Sequence, residues 1–181
     1  MSRIAAIDPS QAQGKTRQTL DAVNKMLGAT PNLFRVAAQA PSVLEGLVGL
    51  IGTAAQGSLK GSVREAIALA VAEANGCDYC LSAHTVLGKG AGLSEAELSQ
   101  ARDASSPDAK TAAMLRFARA AVLERGRVGA AGLAALKQAG VSDAEALEVI
   151  ANVVVNIFTN YINLVADTEI DFPVVRASTA R

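Results

Sequence analysis

The sequence has few aromatic residues and very few thiol or imidazole groups. Its 181 residues include four Phe, two Tyr, no Trp, two Cys and one His, although hydrophobic residues make up 50%. Ala, Leu and Val dominate, and such small or straight-chain side chains suit closely packed helices. Helical and strand-like segments do not alternate, which argues against an α/β fold. The composition therefore predicts one all-α domain, residues 1–181, large enough for a hydrophobic core.

The chain also lacks an excess of charge of either sign, with 17 basic and 17 acidic residues. A surface that follows a phosphate backbone is therefore not expected, and neither is a nucleic-acid partner. The first residues lack the long apolar core of a signal peptide. We also expect no uncharged apolar run to approach the ~18 residues of a transmembrane helix. These absences predict a cytoplasmic protein without a membrane partner.

Helix-start and helix-stop signals divide the chain into nine predicted helices. They lie between an N-terminal arm, residues 1–14, and an extended tail, residues 168–181. Three Ser-x-x-Glu sequences, at residues 62–65, 94–97 and 142–145, are interpreted as capping boxes that begin helices. The predicted helices cover residues 16–27, 31–39, 42–56, 62–75, 77–90, 94–104, 108–125, 130–139 and 142–167.

Both cysteines and the single histidine lie within eight residues, at Cys77, Cys80 and His84. Spacings of three and four place all three on one face of a helix. A structural disulfide would be unusual in a reducing compartment, and such a short loop would constrain the unfolded chain little. If Cys77 begins the helix, free N–H groups there stabilise a thiolate. The spacing therefore indicates a catalytic or metal-binding pair.

The same spacing permits a peroxide-reducing cycle. His84 can take the proton of Cys80, whose thiolate would attack the O–O bond of a peroxide and become a sulfenic acid. Cys77 is placed to condense with that sulfenic acid, which gives a disulfide and water. An external dithiol would then restore the pair by exchange.

Several nearby side chains have two interpretations. Glu65 is either the partner of Ser62 in a capping box or a proton partner of His84, directly or through a water. Glu73 is either a carboxylate of the site or a solvated charge on a helix face. Tyr79 either donates a hydrogen bond at the site or packs its ring at the start of the helix. His84 itself is either functional or a histidine of the core.

A zinc ion would need Cys77, Cys80, His84 and one carboxylate. Ligands from one helix face suit a tetrahedron poorly, so zinc is disfavoured. Covalent haem attachment needs a histidine directly after the second cysteine, where Leu81 stands. We therefore predict neither a metal nor another cofactor.

The last predicted helix carries a polar stripe on an otherwise apolar sequence. Its members are Asn152, Asn156, Asn160 and Asn163, at steps of four, four and three. A helix that is apolar on its other sides should be largely buried, and buried amides need partners. The stripe therefore either bonds to other helices or subunits, or lines a wet pocket.

The pattern Glu65-x(11)-Cys77-x-Tyr79-Cys80-x(3)-His84 resembles the signature of alkylhydroperoxidase D (AhpD)-like proteins of the carboxymuconolactone decarboxylase superfamily. Residues 160–173 also resemble its peroxidase-related subgroup. The sequence departs from the best-known members at Tyr79, where histidine is often found. Decarboxylase members generally lack the cysteine pair, which disfavours decarboxylation here.

The resemblance implies an AhpD-like all-α fold whose helical hairpin carries the Cys-x-x-Cys pair, and a homo-oligomer, commonly a trimer, dimer or hexamer. It also implies that Cys80 is the peroxidatic thiol, Cys77 the resolving thiol, and Glu65 and His84 the proton relay. Position at the helix start alone would favour Cys77 as the nucleophile. The external reductant would be a dithiol, in some members a lipoylated protein.

The sequence thus predicts a thiol-dependent peroxidase that reduces alkyl hydroperoxides or hydrogen peroxide without a cofactor. Two alternatives use the same cysteine pair. One is a dithiol–disulfide oxidoreductase, and the other is a redox-sensing helical oligomer that does not turn over peroxide.

Overall fold

The computed structural model describes residues 2–178. In that range the chain forms nine α-helices and one 3-10 turn at Pro9–Gln11, with no strand, which confirms the all-α prediction. The helices are α1 Gly14–Leu27, α2 Asn32–Ala37, α3 Pro41–Ala55, α4 Gly61–Asn75, α5 Asp78–Gly90, α6 Glu95–Arg102, α7 Ala109–Leu123, α8 Gly129–Gln138 and α9 Asp143–Ala166. Their bounds differ from the predicted ones by at most two residues.

Two of the three predicted capping boxes are confirmed, and the third is wrong. Ser94 and Ser142 each cap a helix and exchange hydrogen bonds with the Glu three residues later. Helix α4 instead begins at Gly61, with no side-chain hydrogen bond at its N-cap. Ser62 therefore lies inside the first turn, and Glu65 is too far along the helix to reach back to the cap.

Helices α4 and α9 form the centre of the bundle. Helix α4 packs against α5, α6, α7 and α9, and α9 also packs against α2, α3 and α7. On α4, Ile67, Leu69 and Val71 are fully buried, as is Val149 on α9. The many Ala residues of α4 let its neighbours approach closely, so a core with few aromatics still fills its space.

Helix α9 corrects one prediction from the sequence. Residues 149–166 carry no charged side chain, and α9 is long and apolar enough to cross a membrane by length and composition. The expectation that no uncharged run approaches this length is therefore wrong. Core helices of globular proteins pass the same test, and half of the most apolar window of α9 is buried within the described structure.

The chain after α9 runs across the N-terminal half of α5. Residues 168–178 have no regular secondary structure, and the rest of the predicted tail lies outside the described residues. The backbone N–H of Val175 donates to Ser82 Oγ, and the N–H of Ala177 donates to Asp78 Oδ1. Arg176 pairs with the same Asp78 carboxylate at 2.8 Å. The tail is thus fixed against the helix that carries the cysteines.

Glu73 is a buried structural carboxylate, so its interpretation as a solvated charge is wrong. Its Oε2 accepts from Arg102 Nε at 2.8 Å, and its Oε1 accepts from the backbone N–H of Ser178 at 2.6 Å. Burial opposes its charge, but these partners lower the pKa of Glu73 below its ordinary value. Glu73 therefore ties α4 to both α6 and the tail.

Replacement of Glu73 by Ala is expected to lower the free energy of unfolding by about 3 kcal/mol, because it leaves the Arg102 guanidinium without its buried partner. Urea denaturation of wild type and variant measures this loss. Glu95→Ala is the matched control, because Glu95 pairs with Lys89 on the exposed surface and should contribute less than about 1 kcal/mol. Equal losses in both variants would contradict the structural role of Glu73.

Candidate active site

The hairpin of α4 and α5 carries the cysteine pair. Helix α4 ends at Gly76, whose φ of 64° and ψ of 37° are left-handed, a conformation that glycine adopts without a steric penalty. Cys77 follows as the N-cap of α5, and the chain then returns along α4. The glycine between the helices therefore sets where the first thiol lies.

The two thiols are free and buried. Cys77 and Cys80 are 1% and 2% exposed. Cys77 Sγ takes the place of a capping oxygen, because it accepts from the backbone N–H of Cys80 at 3.4 Å. Cys80 lies one turn further along α5, so both sulfurs lie at the positive end of the helix dipole.

The surroundings of the two sulfurs separate their pKa values. Burial alone raises the pKa of Cys80, but the hydrogen bond from the Cys77 thiol, the charge of His84 and the amides of Asn163 and Asn160 together lower it to about 7. The hydrogen bond to Cys80, followed by burial, raises the pKa of Cys77 far above that of an ordinary thiol. Cys80 is therefore the thiolate of the pair near neutral pH, and Cys77 is the thiol.

His84 and Glu65 form a hydrogen-bonded pair next to the thiols. His84 Nδ1 lies 2.7 Å from Glu65 Oε2, and the two side chains are 20% and 22% exposed. Because the carboxylate accepts a hydrogen bond, Nδ1 carries a proton, and Nε2 is the nitrogen that gains or loses one. Burial disfavours the imidazolium, but the charge and hydrogen bond of Glu65 raise the pKa of His84.

The asparagine stripe reaches the site, which the sequence interpretation did not recognise. All four members are buried, as predicted. Asn152 and Asn156 donate to carbonyls of their own helix, and Asn160 Oδ1 accepts from Asn75 on α4. Asn163 Nδ2 donates to Cys80 Sγ at 3.3 Å. The sequence shows four asparagines on an otherwise apolar helix, but it could not show which of them faces the sulfur of Cys80.

Tyr79 lies between the cysteines in sequence, but its hydroxyl points away from them. It donates to Asp171 Oδ1 at 2.8 Å and accepts from the backbone N–H of Leu33 at 3.0 Å. Its ring packs edge-on against Phe172, with centroids 5.7 Å apart. Both interpretations of Tyr79 are thus partly right, because it donates a hydrogen bond and packs its ring, but its partners belong to α2 and the tail.

The zinc alternative finds no support in the geometry. Among residues 2–178, no three or more His, Cys, Asp or Glu side chains are grouped so that they could hold a metal ion.

These features define a class of protein. It is an all-α protein with a buried dithiol, in which one sulfur has a lowered pKa and an imidazole–carboxylate pair lies beside it. Residues 41–124 match the model of the carboxymuconolactone decarboxylase family. A comparison with curated protein sequences finds no match.

Solved structures share the fold over nearly the whole chain. A peroxidase-related AhpD-core protein from Ralstonia eutropha JMP134 is 22% identical, with a TM-score of 0.84, over 94% of this chain and 92% of its own. A peroxidase-related protein from Silicibacter sp. TM1040 is 20% identical, with a TM-score of 0.78, over 92% of this chain and 91% of its own. The debrominase Bmp8, in complex with 2,3,4-tribromopyrrole, is 20% identical, with a TM-score of 0.80, over 93% of this chain and 91% of its own. The chain therefore has the AhpD-like fold of these proteins, and its residues 41–124 match the carboxymuconolactone decarboxylase family model.

Proposed function

We propose that this protein is a thiol-dependent peroxidase that reduces alkyl hydroperoxides or hydrogen peroxide through a Cys77–Cys80 dithiol–disulfide cycle. One observation carries the proposal. Asn163 Nδ2 donates to the buried Cys80 Sγ at 3.3 Å, Cys77 is the N-cap of the same helix, and the His84–Glu65 pair lies one turn further along, where its charge lowers the pKa of Cys80. A thiolate with an adjacent resolving thiol and a proton donor is what two-electron reduction of a peroxide requires.

In the first step the Cys80 thiolate attacks one oxygen of the O–O bond. That bond breaks, the sulfur becomes a sulfenic acid, and the other oxygen leaves as an alkoxide or hydroxide. The His84 imidazolium gives its proton to the leaving oxygen, and Glu65 stabilises the imidazolium until that transfer. The hydrogen bond from Asn163 stabilises the thiolate beforehand.

In the second step Cys77 attacks the sulfenic sulfur of Cys80. The S–O bond breaks, the hydroxide takes the proton released by Cys77, and the products are a disulfide and water. The high pKa of Cys77 keeps it a thiol until the sulfenic acid forms, so the two sulfurs do not compete for peroxide. An external dithiol then returns both electrons.

The proposal extends to assembly and location. Along α9, large apolar side chains stay exposed at steps of three, four, seven and four residues. They are Leu147, Ile150, Val154, Tyr161 and Val165. A continuous exposed apolar stripe favours association, and we propose that a second copy of this chain covers it in a homo-oligomer. We also propose a cytoplasmic location, because a dithiol that is repeatedly restored by an external reductant suits a reducing compartment.

Steady-state consumption of cumene hydroperoxide and of hydrogen peroxide, with dihydrolipoamide as the reductant, tests the proposed activity. Turnover well above the rate without protein is expected for at least one of the two peroxides. 2,3,4-Tribromopyrrole serves as a comparison substrate, because a structurally similar protein binds it. Turnover of the bromopyrrole with neither peroxide consumed would contradict the proposal.

The second candidate is a dithiol–disulfide oxidoreductase, which is favoured by a cavity whose lining residues include Cys77. Such a protein would exchange disulfides with a small thiol or a protein thiol and leave peroxide unchanged. A redox-sensing oligomer would form its disulfide once without a catalytic cycle. Peroxide turnover therefore separates the first proposal from both alternatives.

A further inference from the structure

Two neighbouring amides of α9 lie at the buried sulfur of Cys80. Asn163 Nδ2 donates to Cys80 Sγ at 3.3 Å, and Asn160 lies three residues earlier on the same face of the helix. Asn160 is 0% exposed, and its amide also lowers the pKa of Cys80. Both side chains therefore act on this sulfur, although within the described structure only Asn163 forms a hydrogen bond with it.

The NH₂ group of Asn160 is an unused donor. Within residues 2–178, Asn160 Nδ2 has no hydrogen-bond partner. A buried donor without a partner is costly, and such donors are rare in folded proteins. A neutral thiol is a weak acceptor, whereas a thiolate accepts hydrogen bonds strongly. Ionisation of Cys80 therefore supplies the acceptor that this amide lacks, and the donor favours the thiolate over the thiol.

The other end of the Asn160 amide is held by Asn75, the last residue of α4. Asn75 Nδ2 donates to Asn160 Oδ1 at 2.8 Å, which joins the end of α4 to α9. An amide carries its acceptor oxygen on one side and its donor nitrogen on the other. Because Asn75 engages the oxygen of Asn160, the NH₂ group is the end that remains for Cys80.

The opposite orientation of the two amides would have the opposite effect. Asn160 Nδ2 would then donate to Asn75 Oδ1, and the carbonyl oxygen of Asn160 would be left beside the sulfur. A carbonyl oxygen next to a thiolate repels it and would raise the pKa of Cys80. The direction of the hydrogen bond between Asn75 and Asn160 therefore decides how Asn160 affects the thiol.

The charged and titratable groups around the two thiols come from elements other than α9. Residues 149–166 carry no charged side chain, so α9 offers the sulfur of Cys80 neutral amides. The other groups are Cys77, Asp78, Tyr79 and His84 on α5, Glu65 on α4 and Asp171 in the tail. The contribution of the amides can therefore be changed without the removal of a charge.

We propose that Asn75 is a positioning residue of the thiol site: it holds Asn160 Oδ1, so that Asn160 Nδ2 faces Cys80 Sγ and stabilises the thiolate together with Asn163. Asn75 forms no hydrogen bond with either sulfur in the described structure and acts through Asn160. The inference rests on Cys80 as the reactive thiolate of the proposed function, and it adds the residue that orients one of its two amides.

The pH dependence of Cys80 alkylation by iodoacetamide tests the role of Asn75, and mass spectrometry of the labelled peptides separates Cys80 from Cys77. In Asn75→Ala the Asn160 amide loses its anchor, so the midpoint should move to a higher pH than in the wild type. The rate at about pH 6, divided by the plateau rate at high pH, should fall about fivefold because one hydrogen bond to the thiolate is lost. This ratio removes differences in access to the buried sulfur.

Asn152→Ala is the matched control. It removes an amide from the same buried stripe of α9, but Asn152 Nδ2 donates to the carbonyl of Glu148 on its own helix. This variant should lose stability without a change in the midpoint of Cys80. An equal shift in both variants would indicate a general loosening of α9 and would overturn the positioning role.

A double variant tests whether Asn75 acts through Asn160. Asn160→Leu keeps the size of the side chain and removes its donor, so it should raise the midpoint at least as far as Asn75→Ala does. Asn75→Ala added to Asn160→Leu should raise it no further. Additive shifts would overturn the inference, as would an unchanged midpoint in Asn75→Ala. A lowered midpoint in Asn75→Ala would indicate the opposite amide orientation and would also overturn it.

The alkylation assay uses no peroxide, so its outcome does not depend on turnover. Peroxide consumption by the wild type, with an unchanged midpoint in Asn75→Ala, would overturn the role of Asn75 and leave the proposed function intact. A raised midpoint in Asn75→Ala without peroxide consumption by the wild type would support the positioning role and contradict the peroxidase proposal.

Discussion

The Cys80→Ser variant is expected to consume cumene hydroperoxide no faster than buffer does, a loss of at least about a thousandfold. A serine hydroxyl at this position stays protonated, so the Asn163 amide and the His84 charge have no anion to stabilise. Steady-state turnover with dihydrolipoamide measures the loss. The fold should persist, because Ser differs from Cys by a single atom.

Cys77→Ser is the matched control for this prediction. It keeps the Cys80 thiolate but removes the resolving thiol, so it should reduce one equivalent of hydroperoxide and then stop with a sulfenic acid on Cys80. A dimedone adduct on Cys80 detects that product. If Cys77→Ser lost the first turnover and Cys80→Ser kept it, the roles of the two sulfurs would be reversed.

The His84→Ala variant is expected to shift the titration of Cys80 upward and to lower turnover at neutral pH about a hundredfold. In the wild type, the rate of alkylation by iodoacetamide should rise with pH through a midpoint near 7, because only the thiolate reacts. Without the imidazolium the midpoint should move to a higher pH, because the hydrogen bonds from Cys77 and Asn163 remain but the positive charge is gone. Alkylation rates from pH 5 to 10 measure both midpoints.

Glu65→Gln provides the companion variant. The Glu65 carboxylate raises the pKa of His84, so with Gln the imidazolium is lost at a lower pH, and less positive charge faces Cys80 near neutrality. The midpoint of Cys80 should move in the same direction as in His84→Ala, but by less. An unchanged midpoint in both variants would contradict the electrostatic role of the pair.

Much of the fold could be predicted from the sequence because its signals are local. Glycines mark helix ends, and the capping boxes at Ser94 and Ser142 are satisfied by hydrogen bonds within four residues. The Ser62-x-x-Glu65 pattern failed because a tertiary contact decided the outcome. The N-cap is Lys60, two residues earlier than the pattern predicts, and Glu65 bonds to His84 across the hairpin.

The site could be predicted only in part, for the same reason. Cys77, Cys80 and His84 share one helix, so their spacing alone places them together. Asn163 lies 83 residues from Cys80 in sequence, and only the packing of α9 against α5 brings its amide to the sulfur. The sequence could not show that Glu73 is a buried structural carboxylate, because its partner Arg102 lies on a different helix.

The most direct test of the peroxidase cycle is a single turnover under anaerobic conditions. Fully reduced protein is mixed with one equivalent of cumene hydroperoxide, and the alcohol formed, the thiols remaining and the Cys77–Cys80 crosslink are measured together. The proposed cycle predicts one equivalent of cumyl alcohol for each chain, with both thiols lost to the crosslink. Unchanged hydroperoxide, or a crosslink without a matching amount of alcohol, would contradict it.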